Sequence, residues 1–177
     1  MVSLLTTKLF QKISFKLTSV AMIASMAFVS PILAKSPAMC LAKNIYFEAK
    51  NQGTAGWAAV ASVTLNRVKD TRYPNSICEV VYQGPTRPSW QDPELMIPIR
   101  HKCQFSWYCD GKSDVMRNTS KREEIIKFAE YVLSTKFDLD ITDGATHYHA
   151  DYVYPAWAKT KTKTIEIGDH IFYRWEK

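Results

Sequence analysis

The chain has 177 residues, 46% of them hydrophobic and 12% aromatic, with a formal charge of +6. That length and composition describe a globular chain of about one domain and exclude an intrinsically disordered one. The positive charge is not gathered into a basic stripe interleaved with stacking aromatics, so a nucleic-acid partner is not expected.

Residues 1–34 differ from the rest. They carry Lys8, Lys12 and Lys16 and no acidic residue, followed by the apolar run Val20–Val29 and the small-residue end Pro31-Ile32-Leu33-Ala34. This is the order of a secretory signal, and the run is short for a membrane span, which takes roughly 20 residues. The expected organisation is a signal peptide or signal anchor over 1–34 and one domain over 35–177, secreted or periplasmic, with membrane contact only if 1–34 is retained. Without that segment the chain holds 20 basic and 17 acidic residues, +3. Such a mild bias suits an anionic envelope polymer.

Residues 38–50 read as a helix, with Met39, Ala42, Ile45, Tyr46 and Ala49 on one apolar face. Glu48 falls off that stripe near the C-terminal end, where the helix dipole disfavours a carboxylate. Asn51-Gln52-Gly53 is a helix stop. A second helix follows with Thr54 as N-cap; Trp57, Val60, Ala61, Thr64, Leu65 and Val68 form its buried stripe, and Arg67 and Lys69 suit its last turn. Ser76-Ile77-Cys78-Glu79 has capping-box spacing and opens a helix over 77–83. Residues 84–98 hold Pro85, Pro88, Pro93 and Pro98 and read as an ordered loop rather than a strand. The segment 103–109, Cys-Gln-Phe-Ser-Trp-Tyr-Cys, is aromatic enough to plug a core or to stack on sugar rings.

A further capping box, Ser120 to Glu123, opens a helix to about Ser134 that buries Ile125, Ile126, Ala129, Val132 and Leu133. Residues 145–150 read as a short strand, Pro155 and Trp157 mark a loop, and 162–167 with 170–174 form a hairpin around Gly168-Asp169. The fold class is therefore α+β, with N-terminal helices and a small C-terminal antiparallel sheet.

Four cysteines, Cys40, Cys78, Cys103 and Cys109, allow three pairings in an exported chain. Cys103–Cys109 and Cys40–Cys78 are favoured. No C-x-x-C pair supports a zinc knuckle, and an oxidising compartment disfavours a cysteine nucleophile.

Several segments together resemble one family. Ile45-Tyr46-Phe47-Glu48-Ala49-Lys50, Gly53, the run Ala58 to Val68, Tyr73-Pro74, Val80 to Gln83, Cys103 to Ser106, Ala145 to His149, Pro155-Ala156-Trp157 and Ile167 to Tyr173 are similar, in that order, to the SleB-type cell wall hydrolases. The resemblance implies a compact domain like lysozyme or the resuscitation-promoting factors. It implies cleavage of the peptidoglycan glycan strand between N-acetylmuramic acid and N-acetylglucosamine, with the Tyr-x-Glu-Ala glutamate, here Glu48, as catalytic acid. The family's common Arg-Gly-Glu after Glu-Ala is replaced by Lys50-Asn51-Gln52-Gly53, and the cysteines are not a general family feature. No separate peptidoglycan-binding repeat is recognised, so a spore-cortex role is not expected.

Glycoside cleavage needs a donor that stays protonated near neutral pH, and apolar surroundings from Tyr46, Trp57 and Phe105 would favour that. Classical hydrolysis needs a second carboxylate, for which Glu79, Asp110, Asp143 and Asp151 are candidates. A lytic transglycosylase needs only one and is the favoured reading. Tyr46, Asn66, Gln104, Phe105, His147 and Tyr148 are the expected substrate-binding residues, with a monomer acting on the glycan strand and no cofactor. The alternatives are a muramidase-type hydrolase, a zinc-dependent wall peptidase on His147, His149 and His170, and a non-catalytic saccharide-binding envelope module.

Overall fold

A computed structural model describes residues 36–117, 119–134 and 140–176. The proposed signal segment lies outside these residues.

The molecule is built around α1 (Pro37–Ala49), which packs against α2 (Gly53–Lys69), α3 (Ile77–Val81) and α4 (Thr119–Ser134). Ser36 caps α1 by accepting a bond from the Met39 amide at 3.2 Å, and Pro37 occupies the first turn, where no amide is needed. Because three helices surround it, α1 buries more than one stripe: Leu41 and Asn44 are as inaccessible as Ala42 and Ile45. Asn44 is satisfied there. Its amide donates to Thr64 Oγ1 at 3.1 Å and its carbonyl oxygen accepts from Trp107 Nε1 at 3.0 Å, which ties α1 to α2 and to the 103–109 loop.

Gly53 takes the expected left-handed conformation, φ 66°. The second helix nonetheless starts at Gly53, with Gln52 rather than Thr54 in the cap position and no side-chain cap bond. Gln52 is used elsewhere. Its amide donates to Asp169 Oδ2 at 2.6 Å and its oxygen accepts from the Asp169 amide at 3.1 Å, so the α1–α2 turn is clamped to the last hairpin turn. A Cβ on Gly168 (φ 57°) would fall 2.1 Å from Gln52 Oε1, so this close approach requires glycine.

Ser76 caps α3 as the capping box predicts, accepting from the Glu79 amide. The expected continuous loop over 84–98 is corrected: Thr86–Pro88 (β1) and Met96–Pro98 (β2) form a two-stranded antiparallel pair. Three-residue edge strands tolerate proline because half of their amides face away from the partner. The helix starting near Ser120 begins at Thr119 and buries Ile125, Ala129 and Val132, with Ile126 and Leu133 packed beside them.

The second sheet has the order β3 (His147–Ala150), β5 (His170–Arg174), β4 (Thr162–Ile167), all antiparallel. Its inner face carries Tyr148, His170 and Phe172. Phe172 packs with Ala59 and Val63 of α2. Its outer face carries His147, His149 and Tyr173 against Trp157. The α+β layout is the one expected, and both favoured disulfides, Cys40–Cys78 and Cys103–Cys109, are present. Among the described residues no helix is long and apolar enough to cross a membrane.

Candidate active site

Glu48 lies in the last turn of α1, and the clamp between Gln52 and Asp169 holds the chain just beyond it. The carboxyl lies beside a cleft of about 320 Å³ lined by Phe47, Ser106, Trp107, Asp110, Lys112, Ser113 and Asp114. Phe47 stacks on Trp107, centroids 4.8 Å apart and planes 20° apart, and so builds one apolar wall. The Cys103–Cys109 bridge closes the loop carrying Trp107.

From the inner face of β3 the Tyr148 hydroxyl donates to Glu48 Oε2 at 2.8 Å, across a sequence separation of 100. Burial raises the Glu48 pKa above its ordinary value; the Tyr148 bond and the charge of Arg67 pull the other way and do not cancel it. Burial and the neighbouring carboxylate also push the Tyr148 hydroxyl well above its ordinary value. Tyr148 is therefore a fixed donor, and Glu48 is a carboxyl biased towards its protonated form, beside a cleft open to solvent. Such a group can give a proton to an oxygen placed in the cleft and take one back.

The other expected binding residues are distributed differently. Tyr46 is 4% exposed and packs inside the helical core, edge-on to Phe47, with Lys50 Nζ over its ring. Trp57 packs edge-on against Phe128 of α4 and shields that core rather than the acid. Phe105 is 2% exposed, with the Arg67 guanidinium 4.8 Å from its ring, so its face is already occupied and is not open to a sugar. Gln104 is exposed, with its backbone N–H donating to the backbone carbonyl of Gln83.

Asn66 donates to Asp140 Oδ2 and to the Ala145 carbonyl, both at 3.0 Å, which braces the turn leading into β3. It borders a separate hollow with Lys69, Asp70, Thr71, Arg72, Gly144 and Thr146. His147 cannot share a wall with Tyr148, because adjacent strand residues face opposite ways. It sits on the outer face near Tyr73, Trp157 and Trp175, where burial and the charges of Arg67, Lys161 and Arg72 depress its pKa to about 3.

The three histidines of the zinc alternative do not converge. His170 is on the inner face against Tyr148, opposite His147 and His149. His149 has both ring nitrogens engaged, Nδ1 at 2.8 Å from its neighbour's carbonyl and Nε2 at 3.0 Å from the Tyr173 hydroxyl. Of the four candidates for a second carboxylate, Asp110 lines the Glu48 cleft. Glu79 accepts from Ser76, and Asp143 pairs with Arg174.

Sequence reasoning missed Phe47, Trp107 and Arg67 as parts of the site. The aromatic density of 103–109 was the available signal for Trp107. Arg67 gave none, because a cation in a last helical turn is ordinary.

A family model described as Cell Wall Hydrolase matches residues 51–173. The chain belongs to the cell wall hydrolase family. The matched span includes Arg67 and Tyr148 and begins three residues after Glu48, so the place of Glu48 rests on the geometry above. The chain is 26% identical over 133 residues to the spore cortex-lytic enzyme of Bacillus subtilis (strain 168), across 75% of its own length and 35% of that enzyme's. It thus spans about a third of that relative. Two solved structures share its fold. One is the catalytic domain of the germination-specific lytic transglycosylase SleB from Bacillus anthracis (TM-score 0.55, 23% identity, 78% of this chain and 93% of that one). The other is the catalytic domain of the Bacillus cereus SleB protein (TM-score 0.51, 21% identity, 78% and 90%).

Proposed function

We propose that this family member cuts the peptidoglycan glycan strand between N-acetylmuramic acid and N-acetylglucosamine as a lytic transglycosylase, with Glu48 as its one acid–base residue. The observation that carries this reading is the Glu48 carboxyl itself: raised in pKa by burial, held by Tyr148, and bordering a cleft with an aromatic wall. Membership of the family and the naming of one solved neighbour as a lytic transglycosylase support it.

The steps balance with no added reactant. Protonated Glu48 gives its proton to the glycosidic oxygen, the bond from that oxygen to muramyl C1 breaks, and the N-acetylglucosamine side leaves as an alcohol. The muramyl 6-hydroxyl oxygen then bonds to C1. Its proton passes to the Glu48 carboxylate, which restores the acid and leaves an anhydro ring. Tyr148 keeps the carboxyl oriented through both transfers. Residues 1–34, acting as an export signal, deliver the domain to the cell envelope, where this substrate lies.

Asp110 in the same cleft favours a second reading, hydrolysis with Asp110 as base. Digestion of purified sacculi with mass spectrometry of the products separates the two. Anhydromuramyl ends are expected; reducing muramyl ends assign hydrolysis. Glu48→Gln is expected to abolish muropeptide release while leaving the circular dichroism spectrum unchanged. Surviving release overturns the assignment of Glu48.

A further inference from the structure

Arg67 is a buried cation for which the reaction above has no use. It is 4% exposed, and burial lowers its pKa. A guanidinium keeps its charge in proteins, so a buried one is normally satisfied on all sides. Here only part of it is. Nε donates to the Thr146 carbonyl at 2.8 Å, and the guanidinium lies 4.8 Å from the Phe105 ring centroid and 5.3 Å from that of Tyr73. Among the described residues, buried Nη1 has no hydrogen-bond partner. One carbonyl and two rings thus fix the plane of the group and leave an N–H unspent, within the cluster where Phe105, Tyr73 and the ring of Tyr148, the partner of Glu48, pack together; the field of Glu48 reaches the guanidinium there.

We propose that Arg67 is a positioning residue for Glu48: a fixed internal cation that stabilises the carboxylate left between its two proton transfers. The proposal rests on the reading of Glu48 as the acid–base residue. A buried acid that must also serve as a base meets opposed demands. Burial keeps it protonated for the first step, yet the same burial penalises the anion that the first step creates. A cation already held in place opposes that penalty without reorganising.

Arg67 also reaches the second partner of Glu48. Thr146, whose carbonyl it holds, is two residues before Tyr148, so one side chain sets both the charge near Glu48 and the backbone carrying its hydroxyl donor. An arginine kept only to brace Thr146 would not need its charge. The other ionisable groups facing this pair are Tyr148 on β3, Tyr73 after α2, His147 on the outer strand face, and Asp110, Lys112 and Asp114 around the cleft.

The test combines pH–rate profiles of muropeptide release with guanidinium nitrogen NMR of the whole protein. In the wild type the Arg67 Nε–H signal is expected to titrate with the midpoint of Glu48, and in Glu48→Gln that titration is expected to vanish. Arg67→Met is expected to lower kcat by about tenfold or more with KM little changed, and to move the alkaline limb, set by loss of the Glu48 proton, to higher pH. Arg67→Lys should return the limb towards the wild-type position. An Arg67 signal with the same pH dependence in Glu48→Gln overturns the proposal, as does a folded Arg67→Met whose limb has not moved. Where Arg67→Met does not fold, the wild-type and Glu48→Gln spectra decide. Activity that survives Glu48→Gln removes the acid reading and the proposal with it; an inactive Glu48→Gln whose Arg67 signal keeps the wild-type pH dependence removes the proposal alone.

Discussion

Glu48 and Tyr148 meet across 100 residues of sequence, and the carboxyl they share is held against its solvent preference. A stability prediction follows from the sign of that shift. A carboxyl whose pKa is raised on folding binds its proton more tightly in the folded state. Its favourable contribution is complete below the unfolded value, near 4.5, and is lost as pH rises through the folded value. Above the unfolded value the folded state must either hold a proton that the unfolded chain has released or bury the anion, and both lower stability. Glu48→Gln, which stays neutral and can still accept from Tyr148, is expected to melt higher than the wild type at pH 7 to 8, and the gap is expected to close near pH 4. Thermal melts across that range check it. An equal or lower melting temperature at neutral pH would show that burial does not penalise the anion. Among single residues, Glu48 could be proposed as the acid from the sequence because the family-like element around it is local, six residues in a row. Its partners were legible only in part. Asn66, Phe105 and Tyr46 were expected at the substrate, but their side chains are consumed by Asp140, by Arg67 and by the helical core. Sequence shows residue type and not which neighbour has already satisfied it.

At the scale of elements, the helices and the final hairpin were readable because periodicity and capping boxes are local signals. Ser76 caps α3 as its spacing requires. The β1–β2 pair was not readable, because three-residue strands with prolines carry no alternation. The start of α2 was misread because Gln52 is spent on Asp169, a contact 117 residues away. The two disulfides divide stability from function in a testable way. Cys40–Cys78 spans 38 residues and Cys103–Cys109 spans six. In the loop-entropy picture, removing the first costs about 4 kcal/mol and removing the second about 2 kcal/mol. The short loop carries Trp107 in the wall of the Glu48 cleft, whereas the long bridge ties α1 to α3. The paired change of Cys103 and Cys109 to serine is thus expected to lower kcat more, and Cys40 and Cys78 to serine to lower the melting temperature more. Rates measured well below both melting temperatures, beside the melts themselves, check this. The reverse order would place the functional wall elsewhere.

For the whole molecule, Tyr148 is the point where the packing converges. Its ring packs against the helical core of α1, α2 and α4, against the α2–sheet cluster holding Phe172, and against the cluster of Val80, Val81, Phe105 and Trp107. The acid's hydrogen-bond partner is therefore also the keystone between helices and sheet, and two substitutions separate the roles. Tyr148→Phe keeps the ring and removes the hydroxyl. The fold should persist, while Glu48 loses a bond that favours its charged form, so the alkaline limb of the pH–rate profile should move to higher pH and activity should fall by about tenfold or more. Tyr148→Ala also removes the ring and opens a cavity between three clusters that cannot all close over it. A loss of roughly 3–5 kcal/mol is expected, near the scale of a whole domain's stability. Urea unfolding of both variants beside the pH profile of Tyr148→Phe tests the division. If Tyr148→Phe destabilises as much as Tyr148→Ala, the hydroxyl and not the ring joins the layers. If Tyr148→Phe is stable and keeps the wild-type profile, the bond to Glu48 has no part in its proton transfers.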